Sequence, residues 1–252
     1  MCGIVGYVGP REASSILMAG LRKLEYRGYD SAGLAAVSDH RVEVRRCVGK
    51  LDNLAALLRE QPLGGTPGIG HTRWATHGRP SEQNAHPHRA GKVVVIHNGI
   101  IENYLELRAA LERRGRKMAS ETDTEVISHL IDEHVQRGCG LFEATRRAIQ
   151  QLEGSYSIVV LSESEPDRLV AAKSATPIVL GLGEGENFIA SDVPALLEHT
   201  RRVVFLEDGE VAELTADRVK LQTFAGESVA RAPARPSACD ATPASARASR
   251  PL

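Results

Sequence analysis

The distribution of apolar patterns along the chain restricts its fold more than any single residue does. Short apolar runs rich in β-branched residues lie toward both ends, and segments with helical periodicity are grouped in the middle. Residues 4–8 read as a buried strand, and residues 12–24 as a helix with Ile16, Leu17, Gly20, Leu21 and Leu24 on one face. Residues 33–38 and 42–48 read as strands around a Ser38-Asp39-His40 turn. Residues 51–60 read as a short helix, and 68–72 and 92–96 as further strands. Helical patterns follow at 103–114, 126–135 and 141–152. Strands then recur at 155–161, 169–172, 178–182, 188–190, 203–206 and 211–214, with a helical turn near 194–198. This grouping, without strict strand–helix alternation, predicts α+β layers rather than a doubly wound sheet. Gly181-Leu182-Gly183-Glu184-Gly185 opens no helix, so it reads as a hairpin and not as a phosphate loop.

Chemistry is concentrated at the start of the chain. Met1-Cys2-Gly3-Ile4-Val5-Gly6 puts a cysteine at position 2. With Met1 removed, Cys2 carries a thiol and a free α-amine, which titrate near pH ~8.5 and ~8, so one residue supplies both nucleophile and base. Its alternative is a small buried residue opening a strand. Other segments combine residue types suited to a polar ligand. His71 to Gly78 holds an arginine, the only tryptophan and two histidines where a strand end opens into a loop. Arg73 is a fork for a carboxylate, or one half of a structural ion pair. Asn98-Gly99 between apolar runs predicts a hairpin turn, and such a turn would present the Asn98 amide and the Gly99 N–H together as an oxyanion hole. Thr122 or Asp123 is placed to cap the following helix.

Composition removes several classes of function. A net charge of −1 with 25% charged residues gives no reason to expect nucleic acid or a membrane surface as partner. No apolar run approaches the ~18 residues of a membrane helix, and the N-terminus lacks the features of a signal peptide. Cys2, Cys47, Cys139 and Cys239 form no paired motif, which points to a reducing cytoplasm. His71, His77, His86, His88 and His97 match no metal-ligand spacing, so no metal site is expected. From Ala225 onward Ala, Pro, Ser and Arg dominate and apolar periodicity stops. One folded domain over 2–224 and a disordered tail over 225–252 are expected.

Five stretches together carry a resemblance: Met1 to Gly6, Glu25 to Gly33, His71 to Gly78, His97 to Asn103, and Ser120 to Glu125. They resemble the glutaminase domain of glucosamine-6-phosphate synthase, also called glutamine–fructose-6-phosphate aminotransferase, a class II glutamine amidotransferase. The resemblance runs from residue 2 to about 224. The opening residues are shared by other N-terminal-cysteine amidotransferases, and the 25–33 and 71–78 segments single out the glucosamine branch. It implies a four-layer αββα N-terminal-nucleophile hydrolase sandwich. It implies Cys2 as nucleophile, and Asn98 and Gly99 as the oxyanion hole. It implies Arg73 on the α-carboxylate of glutamine and Asp123 on its α-ammonium. Thr76 and His77 match the loop lining that site, and Trp74 matches a tryptophan gating ammonia toward a second domain. No metal or organic cofactor is implied. The implied partners are glutamine and a sugar-phosphate isomerase domain or chain that receives ammonia. The family continues for several hundred residues past the point where this chain reaches Leu252. Three expectations follow: a fragment or frameshifted product, a free-standing glutaminase with a separate partner chain, or a non-catalytic remnant that binds glutamine or glutamate or associates with a full-length synthase. In each case this chain alone is expected not to aminate fructose 6-phosphate.

Overall fold

The computed structural model describes residues 2–75 and 77–236. In chain order the elements of the first half are β1 (Gly3–Val8), α1 (Ala13–Lys23), β2 (Ser31–Ser38), β3 (Arg41–Val48), α2 (Leu51–Glu60), β4 (Gly68–Arg73), β5 (His88–Ala90), β6 (Val93–Ile101) and α3 (Tyr104–Arg113). Those of the second half are α4 (Asp123–Gln136), α5 (Leu141–Ile149), β7 (Gly154–Ser162), β8 (Leu169–Ser174), β9 (Val179–Leu182), β10 (Asn187–Ala190), β11 (Val203–Phe205), β12 (Glu210–Leu214), β13 (Val219–Thr223) and β14 (Ser228–Val229). Among the described residues the strands form two sheets, ordered β11-β9-β10-β1-β4-β2-β3 and β14-β13-β12-β8-β7-β6-β5. Neighbouring strands run antiparallel throughout, for instance β1 against both β10 and β4, and β6 against β7.

Strand periodicity explains the layering. Successive side chains point to opposite faces, so a strand covered on both faces must be apolar at consecutive positions. Ile4 and Val8 enter a core between the sheets with Ile69, Val94, Ile96, Val159, Leu161 and Ala212. Val5 and Tyr7 point the other way, onto Leu17, Leu21, Leu51 and Leu54 of α1 and α2. Val93 and Val95 likewise face Ile127, Leu130, Ile131 and Ala148 of α4 and α5. The result is α1/α2, sheet, sheet, α3/α4/α5: the expected αββα sandwich. Each aliphatic side chain fully buried in these three cores contributes about 1.5–3 kcal/mol.

Three expectations need correction. The strand read at 92–96 continues as β6 to Ile101, with Asn98 opposite Ser157 and Gly99 opposite Tyr156, so Asn98-Gly99 is not a hairpin turn. The hairpin lies one element earlier, where Gly91-Lys92 joins β5 to β6. Second, β5, β13 and β14 were not expected, because they are short or carry polar residues on both faces. Third, ordered pairing does not stop at Phe224. β14 adds to β13, and Ala234 exchanges two backbone hydrogen bonds with Val203 at 2.8 and 2.9 Å. Arg231 forks onto Glu210 at 2.7 and 2.8 Å. These backbone and ionic contacts need no apolar periodicity, so the compositional break at Ala225 does not mark them. Residues 237–252 of the expected tail lie outside the described residues. The Gly181–Gly185 segment is the β9–β10 hairpin. No helix among the described residues is long and apolar enough to cross a membrane.

Candidate active site

The strand that carries Cys2 sits in the middle of the first sheet, held on both edges. Gly3 N donates to Thr72 Oγ1 at 3.1 Å on β4, and Ile4 N to Ser191 Oγ at 3.1 Å just past β10. Cys2, immediately before β1, is thereby fixed beside the loop that follows β4. Its Sγ accepts a hydrogen bond from Trp74 N at 3.2 Å. Burial pushes the thiol pKa up, while the Trp74 N–H and then the Arg73 charge favour the thiolate and draw it back. The Cys2 carbonyl accepts from Asn98 Nδ2 at 3.2 Å and from Arg27 Nη1 at 3.3 Å. A cavity of 340 Å³ opens here, lined by Cys2, Arg27, Trp74, Asn98, Ile100 and Pro177 among others.

The Glu25–Gly33 stretch builds the walls of this site, residue by residue. Tyr26 donates its hydroxyl to Asp192, and Arg27 binds the Ser191 carbonyl at 3.1 Å as well as pairing with Asp192. Gly28 has φ +72, and a Cβ there would fall 2.6 Å from the Trp74 ring. The indole therefore lies against bare backbone. Tyr29 accepts from Leu51 N at 2.8 Å. Asp30 accepts from Ala75 N at 2.6 Å and donates its own N–H to the Arg73 carbonyl at 2.7 Å. One short loop thus fixes the Cys2 carbonyl and pins the Arg73–Ala75 loop. Trp74 stays 54% exposed at the rim, with Ile100 also exposed.

Asn98 and Gly99 face Cys2 from the second sheet. Gly99 has φ +125, and a Cβ would stand 1.9 Å from the Ser155 carbonyl oxygen. This explains a glycine inside a strand: only glycine adopts that backbone so close to β7. Gly99→Ala is expected to lower stability by about 3 kcal/mol or more, read as the urea midpoint. An unchanged midpoint would contradict the strain argument.

Of the other expected site residues, Arg73 is buried at the end of β4. Its Nη2 donates to the carbonyls of His77 and Gly78, and its Nη1 is buried with no partner among the described residues. Burial lowers its pKa, against the pull of Asp30, Cys2 and Asp123. His77 sets its ring edge-on to Tyr104 at 4.9 Å and leaves Nδ1 without a partner among the described residues. Asp123 is the first residue of α4; Thr122 is the cap, accepting from Glu125 N. Asp123 Oδ2 accepts from Ile101 N at 3.0 Å, which ties α4 to the end of β6. Arg73, His77 and Asp123 do not line the 340 Å³ cavity itself. Thr76 lies outside the described residues. Sequence reasoning missed Arg27, Asp30, Ile100 and Pro177. For Arg27 and Asp30 the dense charged motif was the available signal; Ile100 and Pro177 carry none.

Beneath the site four histidines meet. His86 stacks on His71 with ring centres 4.1 Å apart and meets His88 edge-on at 4.7 Å. Thr124 Oγ1 lies 2.8 Å from His86 Nε2 and 2.9 Å from His97 Nδ1. They come from β4, β5, β6 and the segment before β5, so the sequence spacing gave no hint of their meeting. No group of His, Cys, Asp or Glu among the described residues is arranged to hold a metal ion.

A two-sheet sandwich with a cysteine at the head of a central strand and a carboxamide facing it defines an N-terminal-nucleophile amidotransferase. A family model described as a glutamine amidotransferase domain matches residues 71–198, over half the chain, and the chain belongs to that family. It is 56% identical over 231 residues to the glutamine–fructose-6-phosphate aminotransferase (isomerizing) of Symbiobacterium thermophilum, and 54% identical over 233 residues to that of Thermus thermophilus. These matches cover 91% and 92% of this chain but 38% of each relative, so the chain spans well under half their length. It is homologous to their N-terminal, amidotransferase region. Among solved structures it is similar to the glutamine phosphoribosylpyrophosphate amidotransferase of B. subtilis, with a TM-score of 0.77 and 25% identity over 88% of this chain and 49% of that one.

Proposed function

We propose that this chain hydrolyses the side-chain amide of glutamine through Cys2, releasing glutamate and ammonia. The observation that carries this is the cavity shared by Cys2, Asn98 and Gly99, in which the Asn98 amide donates to the Cys2 carbonyl at 3.2 Å. Glutamine brings an α-carboxylate, an α-ammonium and a neutral amide. Arg73 supplies a cation for the first and Asp123 an anion for the second, which holds the amide carbon near Cys2; Thr76 and His77 are assigned to the same substrate-binding segment by the sequence. The Cys2 thiolate attacks that carbon. Charge gathers on the amide oxygen, where the Asn98 amide and the Gly99 N–H stabilise it. A carboxamide has two N–H groups, so the bond from Asn98 to the Cys2 carbonyl leaves one for the oxyanion. The Cys2 α-ammonium protonates the departing ammonia, and water then cleaves the γ-glutamyl thioester. No step requires a cofactor.

Ammonia released at Cys2 meets an exposed rim of Trp74 and Ile100. In this reading Trp74 gates passage to an acceptor, a sugar-phosphate isomerase domain or chain that converts fructose 6-phosphate to glucosamine 6-phosphate. The names of the relatives support that acceptor. A cytoplasmic location fits the free thiols of Cys2, Cys47 and Cys139. The test is to incubate the purified chain with glutamine, follow glutamate and ammonium, and examine the intact mass. Equimolar release, loss of Met1 and a transient glutamyl adduct on Cys2 are expected. A correctly processed chain that releases no glutamate would refute the activity for this chain by itself.

A further inference from the structure

We propose that His71 is a positioning residue that locks the Asn98 carboxamide with its N–H groups toward Cys2, acting as a fixed hydrogen-bond donor between the two sheets. The inference rests on the reading of Asn98 as an oxyanion donor. Three acceptors define it. His71 Nε2, on β4, lies 3.0 Å from the His97 carbonyl and 2.9 Å from Asn98 Oδ1 on β6. A carbonyl oxygen only accepts, so Nε2 carries the proton. A protonated Nε2 repels an amide N–H, so the Asn98 atom facing it is the oxygen. At the other end the Cys2 carbonyl, 3.2 Å from Asn98 Nδ2, also only accepts. Both ends of the carboxamide are therefore specified, and a flip would set donor against donor at one end and acceptor against acceptor at the other.

The rest of the ring's surroundings fit one neutral tautomer. His71 is fully buried, and its Nδ1 has no hydrogen-bond partner among the described residues, as suits a nitrogen without a proton. Burial, opposed by the Asn98 bond and aided by His97 and Arg73, pushes its pKa down to about 3. The ring of His86, itself held by Thr124 at 2.8 Å, stacks on His71 with ring centres 4.1 Å apart. His71 touches no substrate atom; it acts through Asn98.

The experiment compares His71→Leu, which loses the donor, with His71→Gln, whose amide nitrogen reaches the place of Nε2. Glutaminase kinetics, glutamate binding and thermal unfolding are measured for each, alone and in an Asn98→Ala background. In His71→Leu, kcat is expected to fall about 10–100-fold with KM and glutamate affinity nearly unchanged. His71→Gln is expected to recover most of that. In the Asn98→Ala background the leucine substitution is expected to cost nothing further, because its effect passes through Asn98. Equal losses in His71→Leu and His71→Gln, or full additivity with Asn98→Ala, would overturn the proposal. Should His71→Leu not fold, His71→Asn, too short to reach Asn98, takes its place. Nitrogen NMR of the wild-type His71 ring gives a reading that needs no activity. A neutral ring protonated at Nε2 from pH 5 to pH 9 is expected, and a proton on Nδ1 would overturn the proposal. Absence of wild-type turnover would count against the glutaminase reading, while the tautomer would still decide the role of His71.

Discussion

Replacement of Cys2 by alanine is expected to lower glutamate release by about 10⁴–10⁶-fold, the scale on which enzymes lose rate with their nucleophile. The substitution removes the only sulfur among the described residues that line the cavity and leaves its frame in place. The Cys2 carbonyl still receives Asn98 and Arg27, because both bonds go to backbone oxygen. Glutamate should bind nearly as before, since Arg73 and Asp123 are untouched. Loss of turnover with retained binding therefore identifies Cys2 as the nucleophile. A chain that binds glutamine tightly, never turns it over and is indifferent to Cys2→Ala would be a remnant rather than an enzyme. Release that survives in Cys2→Ala would end the thiol mechanism.

Mild acid is expected to destabilise the domain at pH values above the usual carboxylate range. His71 and His88 are fully enclosed, and burial pushes each pKa down to about 3; burial also lowers His86 and His97. The charged and titratable groups facing them are Arg46, Arg73, His77, Asp123, Glu125 and one another. The unfolded chain takes up these protons near pH ~6.5 and the folded chain refuses them. Stability is thus complete above that pH and falls as pH drops from there toward 3. Between pH 7 and pH 5, His71 and His88 together cost about 4 kcal/mol, against a typical total of 5–15 kcal/mol. Glu125 adds a second, lower window. Burial opposes its charge, but the His129 ring 3.7 Å away and hydrogen bonds from Ala119 N, Ser120 N and Ser120 Oγ outweigh that and hold it at about 2, so its contribution is lost as pH falls toward that value. Urea unfolding at pH 7 and pH 5 measures the first effect. His88→Gln, which keeps a partner for Thr122 but has no ring to protonate, should recover about 2 kcal/mol of it. Equal stability at the two pH values would mean that the cluster accepts protons without opening.

The alternation of apolar residues made the layers legible, because a strand buried on both faces has no polar position to break its run. Val93 to Ile96 is such a run, and all four of its residues are fully buried. Asn98-Gly99 was misread for a physical reason. The freedom at positive φ that makes the pair a hairpin signal is the same freedom β6 uses to pass Ser155 in mid-strand. The candidate residues were recognisable by type and by resemblance, but their supports were not. Arg27 finds Ser191 and Asp192 more than 160 residues away, and His71 finds Asn98 on the other sheet. Such partners are set by topology, which residue spacing does not encode.

The short run from Ser228 to Ala234 has a bearing on handling the protein. It extends the second sheet through β14 and, a few residues later, covers β11 at the border of the first. One ribbon thereby blunts two open strand borders, each of which would otherwise offer unpaired N–H and C=O groups to a neighbouring molecule. Trimming the chain back to Phe224, as its composition invites, would strip both borders at once and is expected to yield a protein that self-associates, visible as concentration-dependent light scattering, even with every residue around Cys2 intact.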